Sequence, residues 1–113
     1  EPMVALLRAR PVRVLYAGVE GAASYTVEFA DGKLGVANLL VEGPFQTTVK
    51  FADGAVVPIA ESTETFDRLI AGMVRFFETG EVQVDARETV AIAAILEAAH
   101  KAEAVPGEWV AVE

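Results

Sequence analysis

The stretch Thr65-Phe66-Asp67-Arg68-Leu69-Ile70-Ala71-Gly72-Met73-Val74-Arg75-Phe76-Phe77-Glu78-Thr79-Gly80-Glu81 sets Phe66, Leu69, Ile70, Met73, Val74 and Phe77 three and four residues apart. That is the period of one helix face, so the spacing predicts a helix with a core-facing stripe. Ser62 or Thr63 is placed to cap its start, and Gly80 to end it in the left-handed conformation. Beyond the break, Asp85 with Glu88 three positions on makes a capping-box start and puts negative charge at the positive end of the helix dipole. Val90, Ala91, Ile92, Ala93, Ala94, Ile95, Leu96, Ala98 and Ala99 leave that second helix little polar face, which predicts burial on nearly all sides. Pro106-Gly107 stops it, and Glu108 to Val112 reads as a closing strand.

Upstream, the chain reads as β. Pro2 to Ala9 has the start and apolar content of a short helical piece that Pro11 forbids from continuing. Val12 to Tyr16 has the β-branched and aromatic content of a strand, and Gly18 to Gly21 loosens the chain for a turn. Val27-Glu28-Phe29-Ala30-Asp31-Gly32-Lys33-Leu34 then recurs in kind as Val49-Lys50-Phe51-Ala52-Asp53-Gly54-Ala55-Val56. Asp-Gly suits a two-residue type I′ hairpin turn. The register that follows pairs Phe29 with Leu34, Val27 with Val36, Tyr25 with Asn38, and Phe51 with Val56, leaving Ser24, Thr26 and Glu28 on the opposite face. Gly43-Pro44 joins the two hairpins into an antiparallel meander. The recurrence reads as the same turn chemistry used twice.

Leu34 to Val41 is apolar in both alternating sets, with Leu34, Val36 and Leu40 on one side and Ala37, Leu39 and Val41 on the other; only Asn38 interrupts it. A strand apolar on both sides needs cover on both. Helices cover one face; the other is expected to expose Leu39, Val41, Val57 and Ile59 among Gly35, Ala37, Thr26 and Thr48, a flat surface suited to a second sheet. The expected fold is therefore α+β over residues 1–113, a single domain with an open-faced antiparallel sheet packed on one side by helices. The expected assembly is a homodimer through the open face.

Composition narrows the function. A chain of 113 residues supports one core without metals or cross-links. Its 53% hydrophobic share and mean hydropathy of +0.38 point to a second apolar surface beyond that core. A net charge of −8 argues against nucleic acid and anionic membrane surfaces as partners. The absence of cysteine excludes disulfides, a thiolate nucleophile and cysteine-type zinc sites, and leaves the cytoplasm as the default location. No run reaches the roughly 18 apolar residues of a membrane helix, and no signal-peptide pattern opens the chain. A first residue of Glu1 rather than Met is what a trimmed chain would show.

Each candidate for chemistry has a simpler structural account. His100 is the only histidine, and its place near a helix end suits the dipole without any catalytic role. Asp31 and Asp53 recur where the turns require them. Glu61, Glu64 and Asp67 sit at a helix start, where negative charge is favoured; a cation site needs more convergent oxygens. Phe66, Phe76 and Phe77 follow helical spacing expected of packing. Trp109 is placed to cover a sheet edge. Asn38 is the most informative polar residue, because an amide buried in an apolar strand must find partners, in an interface or on a ligand. No residue is assigned a catalytic, cofactor-binding or metal-binding role, because none has the context of an activated nucleophile.

The Phe-rich helix, the Thr79-Gly80-Glu81 break, Glu88-Thr89 at the next helix start, Leu96-Glu97-Ala98-Ala99 and the closing Val110-Ala111-Val112 strand together resemble the glucose-fructose oxidoreductase, inositol 2-dehydrogenase and rhizopine catabolism (Gfo/Idh/MocA) family. The likeness is to its carboxy-terminal domain and extends from Met3-Val4-Ala5-Leu6-Leu7 to the last strand. It implies an open-sheet α+β domain that completes the substrate pocket and holds subunits together, beside an amino-terminal Rossmann domain that binds NAD or NADP. It also implies sugar or polyol substrates. The chain has no Gly-x-Gly-x-x-Gly after a strand, so it carries no dinucleotide fingerprint of its own and is expected to bind no cofactor and catalyse no hydride transfer alone. The family's Glu-Lys-Pro lysine and its paired histidine fall before Glu1 in this comparison, so no catalytic position is carried over. The alternative is a stand-alone dimeric interaction or small-ligand-binding module.

Overall fold

The computed structural model describes residues 2–40, 42, 46–59 and 64–113. Its elements, in chain order, are α1 (Pro2–Leu7), β1 (Pro11–Val19), β2 (Ala22–Phe29), β3 (Leu34–Leu40), β4 (Thr47–Lys50), β5 (Val56–Ile59), α2 (Thr65–Thr79), α3 (Ala86–Glu103) and β6 (Trp109–Ala111). The chain is α+β with antiparallel pairing, as its patterning requires. It forms two compact units, one of Glu1–Gly43 with Ala86–Glu113 and one of Pro44–Asp85.

The first unit holds a four-stranded sheet in the order β3-β2-β1-β6. Strands β1, β2 and β3 form a meander, and β6 returns to the far edge against β1. Val14, Val27, Phe29 and Ala98 make the buried cluster, with Met3, Leu7, Tyr25, Ile95 and Val110 packed around it. Strand residues two apart point the same way, so Val14, Val27 and Phe29 place the core on one face of the sheet, under α1 and α3. Two contacts seat α1. The Met3 side chain lies against Gly35, where a Cβ would come within 2.6 Å of the Met3 sulfur. The Lys33 ammonium donates to the Leu7 carbonyl at 3.2 Å while ion-paired to Asp31 at 2.6 Å, satisfying an acceptor left open at the helix end.

The hairpin loops differ from the type I′ expectation. The Phe29 N–H donates to the Lys33 carbonyl and the Gly32 N–H to the Phe29 carbonyl, both at 2.9 Å, so the loop is Ala30-Asp31-Gly32. The second hairpin repeats it: Phe51 bonds Ala55 at 2.9 Å and Gly54 bonds Phe51 at 3.0 Å around Ala52-Asp53-Gly54. A type I′ turn needs positive φ at both central residues, and here only the glycines have it, 82° at Gly32 and 90° at Gly54. Asp31 and Asp53 instead accept hydrogen bonds from the backbone N–H two residues on, at 3.2 and 2.9 Å, the Asx-turn role of aspartate.

The extra loop residue slips the register by one. Glu28 pairs with Leu34, Val27 with Gly35, Thr26 with Val36, Tyr25 with Ala37 and Ser24 with Asn38; in the second hairpin Lys50 pairs with Val56. A slip of one exchanges the faces of a strand. Gly35 and Ala37, with Leu39, therefore lie on the helix side of β3, and Leu34, Val36, Asn38 and Leu40 on the open side, the reverse of the expected assignment. Val57 and Ile59 belong to a separate two-stranded sheet, β4-β5. Val41, the Gly43-Pro44 joint, Glu61 and the Ser62 and Thr63 caps lie outside the described residues.

In the second unit, α2 ends as its sequence requires: Gly80 takes φ 72° and donates its N–H to Phe76. Arg75 reaches past the break to Glu81, and the Thr79 hydroxyl bridges the Arg75 carbonyl and the Glu81 N–H. At the start of the helix Glu64 holds the N-cap position with no side-chain bond. Nor is the apolar stripe buried: Phe66, Leu69, Ile70, Met73, Val74 and Phe77 are all exposed. The unit's other regular element is a two-stranded hairpin, too small a surface to bury a four-turn helix. The second correction concerns α3, which buries Ala98 and Ala102 against the sheet and leaves Val90 and Leu96 exposed. A helix on one face of one sheet meets cover along a single stripe, here the narrow alanine side.

The two units make opposite forecasts for phenylalanine. Phe29 is 1% exposed and Phe77 is 79% exposed. Phe29→Ala is expected to cost about 3–4 kcal/mol and Phe77→Ala less than about 0.5 kcal/mol, measured by denaturant unfolding of each variant.

Candidate functional site: the open sheet face

The face of the four-stranded sheet turned away from α1 and α3 is set by the same registers. Arg13, Glu28 and Leu34 stand side by side on β1, β2 and β3; Leu15, Thr26 and Val36 form the next tier, Ala17, Ser24 and Asn38 the third, and Val19, Ala22 and Leu40 the fourth. Trp109 extends the second tier onto β6, opposite Leu15. Leu34, Val36 and Leu40 are each more than half exposed, and Val19 reaches 76%. The result is a broad, largely apolar surface in which Thr26, Ser24 and Asn38 are the uncharged polar residues and charge stands in the first tier only.

That charged end is internally matched. Arg13 and Glu28 are cross-strand partners joined by an ion pair, and the Arg13 guanidinium lies 4.4 Å from the centroid of the Trp109 ring. Arg13 therefore neutralises Glu28 and covers the indole of Trp109 on the edge strand β6. The edge role expected of Trp109 is met in this form. Asn38 is exposed on the open side opposite Ser24, not buried, because the register slip moved it off the core face.

Polar groups also gather on the helix side, at the end of α3. The Tyr25 hydroxyl donates to Glu103 Oε1 at 2.6 Å, His100 Nδ1 lies 3.4 Å from Glu103 Oε2, and the Tyr16 and Tyr25 rings meet at 5.2 Å. The hydrogen bond to Glu103, reinforced by burial and by the carboxylate's charge, holds the Tyr25 phenol protonated and pushes its pKa up to about 12. Such a phenol is a donor, not a base, and it pins α3 to β2. His100 itself is largely exposed at the helix terminus. Sequence spacing could not have joined Tyr25 to Glu103, which lie 78 residues apart.

Among the other sequence candidates, Glu64 faces Arg68 at 4.0 Å, Asp67 lies in the first turn of α2, and Phe76 meets Phe77 edge-on at 5.6 Å. Within the first unit, His100 lies on α3 and Asn38 on the open side of β3, so these two do not share a site. Among the described residues no group of three metal-ligating side chains converges, and no helix is long and apolar enough to cross a membrane. An open apolar hollow of about 290 Å³ lies between Val19, Gly21, Ala22, Ala23, Leu39 and Leu40 at the end of the sheet. No family model, curated protein or solved structure matches the chain.

The Tyr25 bond gives a signed pH dependence. A phenol whose pKa rises on folding adds stability that is complete below pH 10 and is lost as pH climbs through about 12. Tyr25→Phe is expected to cost about 1 kcal/mol near neutrality, and the wild-type advantage over it to fade between pH 10 and 12, followed by thermal unfolding at stepped alkaline pH.

Proposed function

We propose that this chain is the substrate-side and dimerisation domain of a cytoplasmic, nicotinamide-dependent sugar or polyol oxidoreductase, without catalytic activity of its own. The observation that carries the assembly part is the sheet covered by helices on one face and apolar on the other. Strands about 4.8 Å apart and tiers about 7 Å apart give the open face an extent on the order of 500 Å² in plan. With the relief of its side chains, that approaches the roughly 800 Å² per partner of a standard specific interface. Apolar area of this size on one surface favours association.

The oxidoreductase part rests on the sequence resemblance, and it is supported by the order of hairpins, helix, break, helix and closing strand. In the intact enzyme a separate nucleotide-binding domain holds NAD or NADP, which supplies the hydride chemistry. This domain's share is to close the substrate pocket against it and to hold two subunits together. A sheet suits that task because its backbone ladder keeps a broad surface flat without a core of its own on that side.

Two measurements separate the parts. Static light scattering at micromolar concentration is expected to give the mass of two chains, and Val36→Asp to give one, with an unchanged circular dichroism spectrum because Val36 is an exposed residue. A wild-type monomer throughout that range removes the assembly reading. For the enzyme reading, the coding sequence upstream of Glu1 is expected to encode a glycine-rich strand-turn-helix unit. An initiator codon immediately before Glu1 overturns the oxidoreductase context and leaves a stand-alone dimeric module.

A further inference from the structure

We infer that Asp53-Gly54 is a site of spontaneous isoaspartate formation, and that Lys33 protects the otherwise identical Asp31-Gly32 turn from the same reaction. Glycine after aspartate favours this rearrangement, because it has no Cβ to crowd its own amide nitrogen. The Gly54 nitrogen attacks Cγ of the neutral Asp53 carboxyl group, a C–N bond forms, and the carboxyl hydroxyl leaves with the amide proton as water. Water then opens the resulting five-membered succinimide. Opening at Cγ restores aspartate, whereas opening at the main-chain carbonyl gives isoaspartate, whose backbone runs through Cβ. Water is the only co-reactant.

Both turns read Phe-Ala-Asp-Gly and share a closed geometry that holds the reacting groups apart. The Gly54 N–H is committed to the Phe51 carbonyl at 3.0 Å, and Asp53 Oδ1 accepts from the Ala55 N–H at 2.9 Å. Gly32 and Asp31 make the same bonds at 2.9 and 3.2 Å. Ring closure therefore waits on opening of the loop, and the two loops differ in what opening breaks. The first joins two strands of the four-stranded sheet beside the buried Phe29, and Lys33 ties it to Asp31 at 2.6 Å and to the Leu7 carbonyl at 3.2 Å. The second joins four-residue strands of a two-stranded sheet beside Phe51, which is 53% exposed, and Ala55 stands where the first turn has Lys33. A two-stranded hairpin is marginal by itself, and local opening is easiest where few apolar contacts are buried.

Charge acts in the same direction. The hydrogen bond and charge of Lys33 hold the Asp31 carboxyl below the usual carboxylate range, so less of it is in the neutral form that the amide attacks. Alanine at position 55 supplies no such charge. Isoaspartate at position 53 lengthens the backbone by one atom and displaces the carboxylate that Ala55 uses, which loosens the Lys50–Val56 pair beside the turn. The protected turn keeps the register of β2 and β3.

The wild-type chain is held at neutral pH and physiological temperature, and isoaspartate is followed over time with protein isoaspartyl methyltransferase and a labelled methyl donor. Trypsin separates the sites, since cleavage after Lys33 and Lys50 leaves Asp31 and Asp53 in different peptides, and electron-transfer fragmentation assigns the modified residue. Isoaspartate is expected to accumulate at Asp53 at least about tenfold faster than at Asp31, the factor given by about 1.4 kcal/mol of difference in opening. In denaturant the two rates are expected to converge. Equal rates in the folded protein overturn the inference, as does a difference that persists undiminished in denaturant, since local sequence would then account for it. Lys33→Ala is expected to speed the reaction at Asp31 alone, and Lys33→Arg to leave both rates unchanged. An Asp31 rate unaltered by Lys33→Ala overturns the protective role of Lys33.

Discussion

The left-handed conformation of Gly32 sets the geometry on which the rest of the first unit depends. With positive φ at the glycine alone, the loop between β2 and β3 takes three residues, and Val27 comes opposite Gly35. That single pairing gives Met3 room to lie on the backbone of β3 and lets α1 approach the sheet. It also turns Leu34, Val36 and Leu40 outward. The Lys33 side chain, one residue past the turn, reaches both Asp31 and the end of α1, so the turn and the helix it accommodates are tied at the same point.

The described core is small and lies wholly in the first unit: Val4, Val14, Val27, Phe29, Ala98 and Ala102. Much of the chain's hydrophobic share is instead on surfaces, the open sheet face in one unit and the α2 stripe in the other. Helix periodicity reports where apolar side chains line up, not what lines up against them. The α2 stripe and the apolar α3 show this in opposite ways. The first is strongly one-sided and exposed, while the second, with a long apolar run, fully buries only Ala98 and Ala102, with Ile95 and Ala99 partly buried beside them.

The functional reading follows from that distribution. A surface built from outward tiers of four strands, charged at one end and otherwise apolar apart from Thr26, Ser24 and Asn38, is suited to meeting another surface. The polar cluster of Tyr25, Glu103 and His100 sits on the other side, where its hydrogen bond fastens the end of α3 to β2. That bond ties the helix layer to the sheet behind the open face.

The sequence by itself determined the α+β class, the positions of both Asp-Gly turns, the helix end at Gly80, the break at Pro106-Gly107 and the return of a last strand, because glycine conformation, proline and hydrophobic period act within a few residues. It also determined that apolar surface exceeds one core, since composition needs no geometry. The choice of face on β3 was left to the tertiary structure: an Asp-Gly pair fits a two-residue or a three-residue loop, and the two differ by one step that reverses every side chain. The separation of β4-β5 into its own sheet, the bond from Tyr25 to Glu103 and the stacking of Arg13 on Trp109 were decided there too. The last two join residues distant in sequence, and no local pattern encodes which of them will meet.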